Sequence, residues 1–130
     1  MHLDTTLRDL RTHALVADRF AAWLREDPDL LVRAARLLGS DAWARRAERV
    51  ADAAMRRDAD PDEVLDDLHR LRRLLSLDMM DDPASAEALW FAAIHPDDPA
   101  ADEARLCCEA VERALPSLEA IAARQLREVA

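Results

Sequence analysis

The sequence predicts an all-α fold: one domain spanning residues 1–130, built as a bundle of five or six helices without a β-sheet. Three observations carry this prediction. Four Asp-Pro pairs, Asp27-Pro28, Asp60-Pro61, Asp82-Pro83 and Asp98-Pro99, punctuate a chain that holds a single glycine. Each pair reads as a helix start, because an Asp side chain can accept hydrogen bonds from first-turn amides and Pro needs no N–H at the first helical position. Apolar residues recur at spacings of three and four, which places them on one helical face. No segment alternates β-branched or aromatic residues at a period of two, and no Asn-Gly or Asp-Gly hairpin turn occurs. A chain of 130 residues, 51% of them hydrophobic, is long and apolar enough to cover one core.

The first helix follows from Leu3, Leu7, Leu10, Ala14, Ala17, Ala21 and Leu24, in strict four-three alternation, with Val16, Phe20 and Trp23 as a second stripe. Two stripes predict a wide buried face, and the alanines predict close approach of a neighbour near Ala14, Ala17 and Ala21. Asp27-Pro28 opens the second helix, carrying Leu30, Leu31, Ala34, Leu37 and Leu38. Gly39 stands where a left-handed residue closes a helix. Ser40 or Asp41 caps the third, whose thin stripe of Trp43, Ala47, Val50 and Ala54 runs between arginines. Asp60-Pro61 starts the fourth, with Val64, Leu65, Leu68, Leu71, Leu74, Leu75 and Leu77. Its leucines exceed what one neighbour covers, which predicts a central place.

A fifth helix is expected from Pro83 to about His95, apolar almost all round from Ala86 to Ile94 and therefore enclosed. The last runs from Asp98-Pro99 to about Val129, with Ala104, Cys108, Val111, Leu115, Leu118, Ala122 and Val129 in register. Pro116 is expected to kink or divide it. Arg124 and Arg127 favour the C-terminal end of the helix dipole. The first and fourth helices and the segment 83–95 are expected at the centre of the bundle.

Composition narrows function more by exclusion than by assignment. The net charge of −9 disfavours nucleic acid and anionic membranes as partners. All 18 basic residues are Arg, a composition that coding bias explains as well as function does. Cys107 and Cys108 are adjacent, with Cα atoms about 3.8 Å apart, too close for an unstrained mutual disulfide. They are expected as free thiols, with Cys108 on the apolar stripe as a small core residue. The N-terminus lacks a basic segment followed by an apolar run, and no apolar stretch approaches the length of a membrane span. A cytoplasmic protein is expected.

Candidate chemistry is sparse. The nearest approach to a metal site is His95, Asp97, Asp98 and Asp102, carboxylates and an imidazole in one turn. Helix capping and dipole compensation explain the same cluster. The four histidines, His2, His13, His69 and His95, show neither His-x-x-x-His nor Glu-x-x-His spacing, so zinc-hydrolase and di-iron ligand sets are missing. One glycine excludes phosphate-cradling loops, and no serine lies in a Gly-x-Ser-x-Gly context. Glu109, flanked at four residues by Arg105 and Arg113, reads as a solvated ion-pair ladder. Neither catalysis nor a cofactor is motivated by any motif. The segment Ala34–Ser40 with the arginine-rich third helix is similar to a helix-turn-helix, but Ser40 and Arg45 stand where that motif places apolar residues.

The resulting expectation is a non-catalytic module for protein partners or self-association, a homo-oligomer that meets its partner through surplus apolar helix surface. Leu74, Leu77, Trp90 and Phe91 are the candidate interface residues. The alternative is a small-molecule or metal pocket between helices, lined by Trp23, Trp43, Trp90 and Met79 or Met80. Helix-turn-helix DNA binding ranks behind both.

Overall fold

A computed structural model describes residues 2–56, 61–77, 82–86, 88–89 and 98–129, with side chains for all of these except 2–8, 61–63, 100 and 126–129. The described residues form an all-α bundle without strands. Its helices are α1 (His2–Glu26), α2 (Pro28–Gly39), α3 (Asp41–Met55), α4 (Pro61–Leu75) and α5 (Pro99–Val129). None is long and apolar enough to cross a membrane.

Three of the four Asp-Pro prolines stand at the first residue of a helix: Pro28, Pro61 and Pro99. The fourth pair works differently. Asp82 closes an Asx turn, its Oδ1 accepting from the Ala84 amide at 3.0 Å, and the cap is Ser85, whose Oγ accepts from the Ala88 amide at 3.1 Å. Ala86, Ala88 and Leu89 are helical. The rest of the helix expected over 83–95 lies outside the described residues. The capping chemistry at Asp27 is also corrected. Its side chain makes no cap hydrogen bond, and its carboxylate instead accepts from Arg33 Nη2 at 3.1 Å. Pro28 thus marks the start by its fixed φ rather than through its neighbour's oxygen.

The corner between α2 and α3 turns on Gly39 and Ser40, with their roles exchanged relative to expectation. Gly39 is the last helical residue and has no positive φ; Ser40 has φ 85° and ψ −176°. The glycine is required for space. A Cβ there would run into Trp43, 2.6 Å from its Cγ, and would lie 2.9 Å from Cδ2 of Leu74. Trp43 therefore packs against the end of α2. The Arg46 guanidinium lies 4.9 Å from its ring centroid. That cation–π contact compensates for a buried Arg46 Nε that has no hydrogen-bond partner. Only Ser40 separates α2 from α3, whereas a helix-turn-helix joins its helices by three or four residues.

The centre of the bundle is α2, not α1. The short second helix packs against all four others, and these meet one another in cyclic order: α1 with α3, α3 with α4, α4 with α5, α5 with α1. Leu31, Ala34 and Ala35 of α2 are fully buried, as are Leu68, Leu71 and Leu74 of α4. The leucines of α4 are thus absorbed by the chain itself. By contrast α1 lies on the ring. Phe20 and Leu24 are buried, Val16, Ala17, Ala21 and Trp23 are half-covered, and Ala14 is exposed.

Each seam of the ring carries a polar clasp. Arg25 Nε donates to the Ala54 carbonyl at 2.9 Å between α1 and α3. Arg49 donates to both oxygens of Asp67, at 3.0 and 3.2 Å, between α3 and α4. His69 Nε2 meets Glu119 Oε1 at 2.8 Å between α4 and α5. His13 Nδ1 and Ser117 Oγ lie 2.9 Å apart between α5 and α1. Arg33, held by Asp27 and by Glu103 at 3.2 Å, adds a tie from α2 to α5. Helix α5 passes through Pro116 without interruption, with the proline on its exposed side.

Candidate interaction groove

Of the four expected interface residues, Leu74 and Leu77 are among the described residues. Leu74 is a core residue, fully buried against its own chain, because α4 turns that face toward α2 and α5. Leu77 is 36% exposed and takes φ 66° as the left-handed residue closing α4, its amide donating to the Leu74 carbonyl at 3.1 Å. Trp90 and Phe91 lie outside the described residues, as do His95, Asp97, Met79 and Met80. Of the acidic cluster, Asp98 precedes α5 and Asp102 sits exposed in its first turn, 4.0 Å from Arg105. Among the described residues no three His, Cys, Asp or Glu side chains are grouped to hold a metal ion.

The cysteines are free, but Cys107 is the core residue and Cys108 is half-buried. The stripe on α5 follows Ala104, Cys107, Val111, Ala114, Leu115 and Ala122, a three-residue first step where a four-residue step was expected. Burial, and then the neighbouring Glu103 carboxylate, push the Cys107 thiol up from 9.0 to about 12. It is not a nucleophile at neutral pH. Cys108 donates to Glu112 Oε1 at 3.5 Å. Ser117 and His13 are hydrogen-bonded, an arrangement that can activate a nucleophile. Ser117 is only 6% exposed, however, which leaves no approach for a substrate, and the pair is a structural clasp.

The open apolar feature lies between α1 and α5. Val16, Arg19, Phe20 and Trp23 of α1 and Leu106, Glu109, Ala110, Arg113 and Ala114 of α5 line a groove of about 380 Å³, with Leu30 of α2 closing its floor. The spacing on each helix is one face over two turns, a length of roughly 11 Å. Phe20 and Trp23 stack at 5.7 Å and 22° and form the aromatic wall. Opposite, Ala110 and Ala114 are too short to fill the space between the helices. Leu106 stands at the lip, 59% exposed, and Leu15 lies one turn from Arg19 on α1, 50% exposed.

The rim is charged with both signs. Arg19, Glu109 and Arg113 are exposed, and among the described residues none of them forms an ion pair. The expected ladder around Glu109 therefore does not form: Arg105 turns to Asp102, and Arg113 stays in solvent. The second stripe of α1 was legible in the sequence as Val16, Phe20 and Trp23. The matching signal on α5 is Leu106, Ala110 and Ala114 at intervals of four, a line that starts off the core register and joins it at Ala114. Of the two described residues of the expected aromatic pocket, Trp23 lines the groove and Trp43 packs against Gly39.

Comparison with protein-family models, with curated proteins and with solved structures finds no match for this chain.

Proposed function

We propose that the protein is a small non-catalytic interaction module that docks apolar side chains of a helix, supplied by a protein partner or by a second copy, in the groove between α1 and α5. The observation that carries this reading is the groove itself. It has an aromatic wall, short alanines opposite and exposed leucines at its lip and on α1, while most large apolar side chains among the described residues pack inward. Two turns of helix are what a partner helix offers when it presents apolar residues at i, i+3 or i+4, and i+7. Seating one leucine fully is worth roughly 1.5–3 kcal/mol. Two or three such residues make an association of moderate strength once the cost of immobilising the partner is subtracted.

The acidic balance supports a protein partner over nucleic acid or an anionic membrane. A reducing compartment such as the cytoplasm belongs to the same proposal, in keeping with a chain that holds only two cysteines. The groove's volume also lies within the range of small-molecule sites, which favours a ligand pocket as the second reading. Native mass spectrometry of the purified protein separates the two by showing whether a ligand mass is retained.

The direct test is dye binding. Dilute protein is titrated with anilinonaphthalene sulfonate, in parallel with Ala110→Trp, which fills the groove from within. The proposal expects enhanced emission from the parent chain at one-to-one stoichiometry and its loss in the variant, with unchanged circular dichroism. Equal emission from both folded proteins would remove the groove as a docking surface.

A further inference from the structure

Resting on the groove reading above, we infer that its occupant is a second copy of this chain, packed across a two-fold axis beside Ala110 with the two α5 helices antiparallel. Three features of the surface carry this. The first is that knob and hole share one face: Leu106 protrudes at the lip, and the groove passes beside half-buried Ala110, one turn along the same helix. In an antiparallel pair centred on Ala110, the residue four positions before the axis lies opposite the residue four positions after it. Leu106 of each copy then enters the groove of the other beside the Phe20–Trp23 wall, over the end at which Ala114 is buried. Alanine at position 110, on the axis, permits close helix approach.

The second feature is charge. Glu109 and Arg113 lie on the same side of the Leu106–Ala110–Ala114 stripe. They stand four residues apart, the spacing of an intrahelical pair, yet they are not paired with each other. A two-fold axis perpendicular to α5 keeps that side common to both copies, so Glu109 of each comes within reach of Arg113 of the other, twice. A surface that carries both signs in this order is complementary to itself, which is the requirement of an isologous interface. A partner of uniform charge would satisfy only one of the two side chains.

The third feature is the distribution of the remaining charge. The core face of α5 is already spent on α2 and α4, and its carboxylates Glu103, Glu112 and Glu119 have partners within the chain. Copies of a chain with a net charge of −9 repel one another. Contact is therefore favoured where the local charge is least negative, and Arg19 and Arg113 against Glu109 make this rim locally basic.

The test is the molar mass by sedimentation equilibrium from micromolar to millimolar concentration, read beside the dye titration. The parent chain is expected to reach twice its 14.6 kDa. Leu106→Asp should stay monomeric and bind dye. Glu109→Arg and Arg113→Glu should each weaken the dimer by about tenfold or more, and the double variant E109R/R113E should restore it, a rescue that a folding defect cannot mimic. A parent chain that stays monomeric throughout overturns the second copy as occupant; dye binding in that monomer would leave the groove standing, and absence of dye binding would remove both. A dimer insensitive to Leu106→Asp and to the charge swaps uses another face and equally overturns the inference.

Discussion

Gly39 and Ser40 show how two adjacent small residues serve unrelated physical needs. Gly39 makes room for Trp43 and Leu74, while Ser40 bears φ 85° with ψ −176°, a region that strains any residue with a Cβ. Opposite outcomes are expected from exchanging their chemistry. Gly39→Ala should destabilise by about 1–3 kcal/mol through overpacking, and Ser40→Gly should stabilise by about 1 kcal/mol; urea unfolding of both variants checks the pair. The sequence announced a corner here but not which residue turned it, because glycine signals equally a positive φ and a close approach.

Cys107 offers a pH prediction at the same scale. Its thiol is raised from 9.0 to about 12 in the folded chain by burial. The native state therefore keeps a proton that the unfolded chain loses above pH 9. The stability contributed by the buried thiol is complete below pH 9 and is lost as pH rises toward 12, with a slope approaching about 1.4 kcal/mol per unit. The chain has no Lys and no Tyr, so few other groups titrate in that window. Denaturant midpoints at pH 8 and pH 11 should diverge in the parent chain and diverge less in Cys107→Ala.

Among elements, the seams decide how helices are held. Asp67 is buried on α4 and accepts both of its hydrogen bonds here from Arg49, whose side chain is half-exposed. Arg49→Ala should cost about 2 kcal/mol, between the values of exposed and fully buried pairs, because it strands a carboxylate in the α3–α4 seam. Arg49→Met with Asp67→Leu should recover most of that loss, as thermal unfolding of single and double variants will show. Pro116 leaves the Glu112 carbonyl without its helical donor although α5 continues past it. Helix starts were legible because Pro28, Pro61 and Pro99 fix φ at the first turn. Helix placement was not: α2 is short, and its fully buried Ala34 and Ala35 carry no more apolar signal than the exposed Ala14 of α1. The register of α5 slipped from Cys108 to Cys107 for a related reason, since a strict four-residue step drifts round a helix with 3.6 residues per turn.

Among the described residues, a ring of four helices around α2 buries most large apolar side chains, and the seam of α1 with α5 is incompletely filled. Half of that groove, Val16, Phe20 and Trp23, stood out in the sequence as a stripe beside the main one. The other half was hidden because Ala110 and Ala114 create a groove by what they lack. A disulfide trap tests the central claim, that two copies meet along α5 in this groove. Ala110→Cys in a Cys108→Ser background leaves only the buried Cys107 besides the new thiol, and a disulfide requires Cα atoms within about 7 Å. Under mild oxidation the account predicts rapid conversion to a covalent dimer, far faster than with a thiol placed at exposed Ala42. Cross-linking no faster at position 110 than at position 42 would contradict it.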